Sequence, residues 1–386
     1  MARRTVVISV LGAVALTATS VAVFQPPQQA PTTTVRVTAG TSPSDNAVRI
    51  ERAMRQVSQR GGGTVVLPDS RVLVKPSQRT NRIDVPAGVH IVGSGKRSEL
   101  ALVPNVPWTE LFHFSKGNGS VSRLKLTRTD VAYGRMLTFE NGHGYRLDRL
   151  VIDTGYSRWP TNDFSAIQLD PDDRHDKVSG LSITNSTIQN TQYGLMEPSD
   201  AKGTVSGVTV DRSVFQNNHS DDLEFNAPSG VGRDVVVKNS TFRNNTAPGP
   251  GAGFAVGVAN YQNVQILNNS FSNHPMNTVH LEDRTARVTI KGNSFVKAST
   301  VDTGFASAIV VLSGTHDVTI TNNRINLTRQ RNVAVPVVIG PGGAKARNPW
   351  NIRMTNNYAL VKHTAAFHTD YGSANTVAQR NLRRVG

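Results

Sequence analysis

The 386-residue chain carries a formal net charge of +15 and contains no cysteine, which excludes disulfides, thiolate metal sites and a cysteine nucleophile. Asn, Thr, Ser, Val and Gly dominate and aromatic residues make up only 6%, the profile of a β-rich protein. The length would accommodate two domains and needs no disulfide to secure a core, while the charge points to an acidic partner: nucleic acid, an anionic membrane surface or an acidic polysaccharide.

At the N-terminus Arg3 and Arg4 precede an apolar run from Val6 to Phe24, and Ser20 to Ala22 supply small residues for cleavage. The pattern reads as an export signal over residues 1–24, with the paired arginines admitting a twin-arginine version. An uncleaved anchor is the other reading, although Thr and Ser dilute a run barely long enough to span. Once the signal is cleaved, no membrane segment is expected, and the protein is secreted or held at the cell surface. Residues 25–43, rich in Pro, Gln and Thr, read as a linker. A helix follows. Ser44 or Asp45 can cap it, Val48, Ala53, Met54 and Val57 form its apolar side, and Gly61 to Gly63 end it before the strand "TVVLP".

From Ile183 onward the chain repeats itself. "ITNSTIQN", "VDRSVFQN", "VKNSTFRN", "ILNNSFSN", "IKGNSFVK" and "ITNNRINL" start at Ile183, Val210, Val237, Ile266, Ile290 and Ile320, and "MTNNYALV" at Met354 is a looser copy. In each of the six an apolar residue is followed five positions later by Ile or Phe, with a polar Asn/Ser turn between them. Units this short cannot bury their faces alone, so they stack as short parallel strands about 4.8 Å apart. Asn185, Asn239, Asn268, Asn322 and Asn356 are expected to form hydrogen-bonded ladders at the turn. Residues 44–375 thus read as one solenoid, all-β apart from the capping helix, and residues 376–386 as a basic tail.

The stretches "DNAVRIERAMRQVSQRGGGTVVLP", "VPAGVHIVGSG" (Val85 to Gly95) and "ILNNSFSN" resemble the pectate-lyase-like superfamily. The resemblance implies a single-stranded right-handed parallel β-helix. It implies no single reaction, because that superfamily holds lyases, hydrolases, epimerases, tailspikes and non-catalytic surface proteins.

A second strand recurs after each Asn turn, as in "AIQLDP", "DLEFNA" and "TVHLED". Setting Ile167, Leu195, Leu223, Ala255, Val279, Ile309 and Val337 inward sends two columns outward: Gln168, Met196, Glu224, Val256 and His280, and Asp170, Pro198, Asn226, Val258 and Glu282. Asp222 is expected to leave the same face, about 6.8 Å from Glu224 at Cα. Asp222, Glu224, His280 and Glu282 are therefore the candidate catalytic residues, and Gln168, Asp170, Asn226 and Arg284 the candidate substrate-binding ones. Asp221, Asp222 and Glu224 are the candidate ligands of a Ca²⁺ ion, which favours several oxygens. His219 reads as a turn residue.

Two mechanisms suit these residues: hydrolysis by a carboxylate pair, or β-elimination on a uronic acid with His280 or Arg284 as base. Polygalacturonase-type hydrolases carry "DD" and then "GHG"; here "GHG" at Gly142 to Gly144 precedes Asp221 and Asp222, the reverse order. "YGLMEPSD" at Tyr193 to Asp200 resembles a uronan C5-epimerase motif, with Glu197 in place of Asp and the motif histidine missing. "QLDPDDRHD" at Gln168 to Asp176 suits a metal or a groove rim. The expected function is that of a secreted carbohydrate-active enzyme cleaving an acidic polysaccharide. The alternatives are a non-catalytic glycan-binding surface or tailspike-like protein and a uronan C5-epimerase. No nucleic acid is expected, since no recognition motif or aromatic stacking platform accompanies the charge.

Overall fold

The computed structural model describes residues 33–130, 134–155, 165–248, 251–301, 305–343, 346–362 and 366–386. The segment read as an export signal, residues 1–24, lies outside these residues. Among them, no helix is long and apolar enough to cross a membrane.

The chain winds as a parallel β-helix. One side is an eleven-stranded sheet running from Asp84–Val85 to His368–Asp370; a 25-stranded sheet wraps the remaining sides. Every registered strand pair is parallel, so each rung sits directly on its predecessor. Strand Thr33–Arg36 pairs with Gly63–Val66, and Leu382–Val385 with Tyr358–Val361, which carries the rungs into the segments read as linker and tail.

One helix, Pro43–Ser58, packs against the strands of the first rung. Its N-cap is Ser42, two residues earlier than Ser44, and the Ser42 hydroxyl accepts from the Asp45 N–H at 3.1 Å. Ala47, Ile50, Ala53, Met54 and Val57 are buried at helical spacing. Val48 is 44% exposed, because one residue past Ala47 the helix has turned by about 100°.

At the corner after strands such as Ser182–Thr184, the turn asparagines Asn185, Asn239, Asn268, Asn322 and Asn356 all have φ between 51° and 56°. That left-handed bend suits Asn better than any β-branched residue. The buried ladder is built one residue later than expected. Ser186, Ser213 and Ser240 begin it, and Asn269, Asn293, Asn323, Asn357 and Asn381 continue it. Each of these asparagines accepts from the preceding rung through Oδ1, and Asn269 to Asn357 donate through Nδ2 to the next. Beneath the ladder, Phe215, Phe242, Phe271 and Phe295 form a stack with ring centroids 4.9–5.1 Å apart. These are the Phe positions of the repeat. Truncating Phe242 to Ala should cost about 3–5 kcal/mol of stability, as for other large buried aromatics; a denaturant midpoint unchanged from wild type would contradict the stack's role.

The interior column of the eleven-stranded sheet follows the expected alternation except at one rung. Val256, not Ala255, aligns with Leu223 and Val279. The Ala255 and Val256 N–H groups both donate to Thr278 O, so an extra residue bulges the strand. Val256 and Val258 therefore point inward, and Gly257 and Ala259 take the outward positions.

Candidate functional site

Register places Gln168, Met196, Glu224, Gly257 and His280 in one outward column, with Glu282 two residues past His280. Glu224 and His280 are two rungs apart, about 9.6 Å at Cα. Gly257 lies between them and leaves the floor without a side chain. The His280 ring packs against Phe254 with centroids 4.4 Å apart. Its Nε2 lies 3.2 Å from Glu282 Oε2 without hydrogen-bond geometry, and both ring nitrogens are enclosed and lack a hydrogen-bond partner. The imidazole beside Glu282 holds that carboxyl below the ordinary range, against the effect of its burial. Asn226 Nδ2 donates to Glu224 Oε1 at 3.2 Å and to Glu197 O at 2.7 Å, so Asn226 orients Glu224, and it also lines a groove together with Arg284. Glu224, His280 and Glu282 are thus the predicted residues that the fold brings to one outward face, with the His280 side chain only 14% exposed.

Apart from Arg284, which lines a groove at the following corner, most of the other predicted site residues serve the scaffold. Asp222 is fully buried, against the expectation that it points out; it precedes strand Leu223–Phe225, so strand alternation does not govern it. One oxygen accepts from Asn218 Nδ2 at 2.7 Å and the other lies 3.0 Å from Nε2 of the fully buried His274. Sequence reasoning missed His274; "SNHPMN" holds a histidine, but its partner is 52 residues away. Asp221 Oδ1 accepts from the N–H groups of Gly253 and Phe254, at 2.8 and 2.7 Å. Both oxygens of Asp222 and Oδ1 of Asp221 are taken up by these inward contacts, and among the described residues the acids whose oxygens converge as a metal would need are others than Asp221, Asp222 and Glu224. Gln168 is buried between Ser165 Oγ, at 3.0 Å, and Asp170 Oδ2, at 2.8 Å. Asp170 lies 3.8 Å from Arg135, and burial pushes its carboxyl upward while Arg135 opposes that. Gln168 is not presented to a ligand as expected, whereas Asp170 keeps 27% of its side chain exposed. His219 contacts Thr246 Oγ1 at 3.0 Å, as a corner residue would. Glu197, the acid of the epimerase-like stretch, is buried and accepts from Tyr261 OH at 2.6 Å and from the Asn226 and Ala227 N–H groups.

Burial, reinforced by the Glu224 charge, pushes the Asp221 carboxyl well above its ordinary range. The folded protein then binds that proton more tightly than the unfolded chain. The associated stability is present below the ordinary carboxylate range and is lost as pH rises toward the raised value. Asp221→Asn keeps an oxygen for both backbone N–H groups and should flatten the melting temperature between mildly acidic and neutral pH, with a value above wild type at neutrality. A lower melting temperature than wild type at neutral pH would show that the carboxylate charge itself stabilises the corner.

On the rim nearer the N-terminal end, the ligand oxygens of Glu140, Asp172 and Asp176 lie within 4.8 Å of one another. Asp172 and Asp176 come from the acid-rich stretch after Gln168. These are hard oxygen donors of the kind Ca²⁺ takes. Glu140 also lies 2.5 Å from Nε2 of His113, whose Nδ1 meets Glu110 at 2.7 Å.

The fold likeness extends to solved structures. The A-module of the mannuronan C-5 epimerase AlgE6 of Azotobacter vinelandii superposes with a TM-score of 0.54 at 13% identity, covering 89% of this chain and 94% of that one. PfbA, a surface adhesin of Streptococcus pneumoniae, gives 0.52 at 12% identity over 92% and 93%. The catalytic unit of a GH87 α-1,3-glucanase from Streptomyces thermodiastaticus gives 0.51 at 13% identity over 92% and 69%. At these identities the likeness establishes the fold, which is shared by enzymes and an adhesin. No curated protein sequence matches the chain. The family profile for the right handed beta helix region matches residues 165–382, more than half of the chain, and the protein belongs to that family.

Proposed function

We propose that the protein is an exported carbohydrate-active enzyme that acts on an acidic polysaccharide lying along the outer face of the eleven-stranded sheet. The observation that carries this reading is His280, whose two enclosed ring nitrogens make no hydrogen bond, with Glu282 Oε2 3.2 Å from Nε2 and Glu224 two rungs away in the same column across the bare Gly257. Enclosure of Asp222 removes the closer carboxylate pair and with it the Asp222–Glu224 route to hydrolysis. What remains suits proton abstraction. His280 takes the proton on the carbon next to a uronate carboxylate, with Glu282 supporting the imidazolium that forms. The electron pair makes a C4–C5 double bond, the bond to the glycosidic oxygen breaks, and the leaving oxygen takes a proton from water or from the imidazolium, with Glu224 lining the face two rungs away. Returning a proton to the opposite face instead, with no C–O cleavage, would give C5 epimerisation from the same residues.

The test is a panel of pectate, alginate, hyaluronan, xylan and a bacterial wall polysaccharide, each with Ca²⁺ and with chelator. Ultraviolet absorbance of the new double bond reports elimination, reducing ends without it report hydrolysis, and the uronate composition by NMR reports epimerisation. Elimination or epimerisation supports the reading. Hydrolysis overturns the chemistry. Silence across the panel alongside retained binding would favour the glycan-binding alternative.

A further inference from the structure

The strand that carries His280 and Glu282 runs directly into a corner of unusual backbone. Asp283 and Arg284 both sit at positive φ, 51° and 65°. Two successive non-glycine residues in the left-handed region are costly and persist where the surroundings hold them; here the Arg284 N–H donates to Ser313 O at 2.9 Å. The turn directs Arg284 into a groove of about 400 Å³ that it shares with Arg347, Asn260, Ser313 and Asp283. A Cβ placed on Gly314 would lie 3.6 Å from Arg284 Cγ and 3.5 Å from Arg347 Cβ, so the two arginine stems flank the same glycine.

Arg347 is held in place from one side. Its guanidinium lies 4.0 Å over the Trp350 ring, and Trp350 stacks on His316 at 4.0 Å and 8°. Such a stack limits the freedom of the guanidinium while leaving its N–H groups for a ligand. Neither Arg284 nor Arg347 makes an ion pair within 4.0 Å or a side-chain hydrogen bond among the described residues. Asp283 is the single acid lining the groove against two guanidinium groups. Two guanidiniums against one carboxylate at a polar concavity match the planar oxygens of an anion.

We propose that Arg284 and Arg347 form a subsite for an anionic group of a glycan, carboxylate or sulfate, at the corner of the β-helix and separate from Glu224 and His280. The subsite requires no turnover. It would anchor an acidic chain at the end of the strand that carries the candidate base.

Calorimetric binding tests this with three probes: an oligogalacturonate, its fully methyl-esterified form and a sulfated dextran oligosaccharide. The proteins are wild type, Arg284→Gln/Arg347→Gln, the charge-matched control Arg60→Gln/Arg331→Gln at exposed positions, and His280→Ala. Binding of either anionic probe, with the neutral ester and the Arg284/Arg347 variant each at least about tenfold weaker, supports the subsite. The anionic probe that binds more tightly distinguishes carboxylate from sulfate. A loss in His280→Ala equal to that in the Arg284/Arg347 variant would assign the affinity to the catalytic face and overturn a separate subsite, whereas a markedly smaller loss supports it. Equal loss in the two double variants would assign binding to overall charge and overturn the proposal, as would undiminished binding of the neutral ester or no binding of either anion. Matching unfolding midpoints for wild type and the Arg284/Arg347 variant would establish that loss of affinity is not loss of fold.

Discussion

His280→Ala is expected to lower turnover of the acidic polysaccharide by about 10²–10⁴-fold, the range contributed by a positioned general base. The fold should survive. The His280 side chain is 14% exposed and its main packing partner is the Phe254 ring, so its loss should cost on the order of 1 kcal/mol. Glu282→Gln keeps the shape of its residue but removes the charge beside Nε2, and should produce a smaller loss with a changed pH profile. Steady-state rates on the substrate found in the panel provide the measurement. A His280→Ala rate equal to wild type, with the fold intact, would remove His280 as base and leave Glu224 or an arginine to be considered.

The second large effect concerns stability and comes from neighbouring asparagines. Asn323 Oδ1 accepts from the Asn293 N–H and Nδ2, at 2.9 and 3.0 Å, and its Nδ2 donates to Ile290 O and Asn357 Oδ1, both at 2.9 Å. Asn323→Ala strands donors and acceptors in a dry interior. At about 1–3 kcal/mol for each buried group left unpaired, the loss should reach about 3–6 kcal/mol. Asn322 is exposed at φ 56°, so Asn322→Gly should stay within about 1 kcal/mol of wild type. Denaturant midpoints for the two variants decide the matter. Equal losses would mean that the ladder is not the element holding the corner.

These two asparagines show how far the repeat could be read. Counting apolar positions located the corner in every copy, because burial requires the same residue types at the same place on each rung. In "NN" the two neighbours are chemically identical, and which one turns inward depends on the left-handed bend. The copies "TNSTIQN" and "KNSTFRN" carried the missing signal: Ser186 and Ser240, second in each pair, are the buried ones. The bulge at Ala255 was hidden for a similar reason. Ala255, Val256, Gly257 and Val258 are all small or apolar, so shifting the register by one residue leaves the pattern unchanged.

The amino-acid sequence by itself determined the parallel β-helix, the helix over its first rung and the outward column holding Glu224 and His280 with Glu282 nearby. Periodic burial dictates all of these locally. Tertiary structure alone decided which acids are available. Asp222 pairs with His274 and Asp221 binds the backbone of Gly253 and Phe254, partners from later rungs that no local spacing identifies. It also decided the juxtaposition of Arg284 and Arg347. Their approach depends on the lengths of the intervening turns, and stacking converts that distance along the chain into adjacency across one groove.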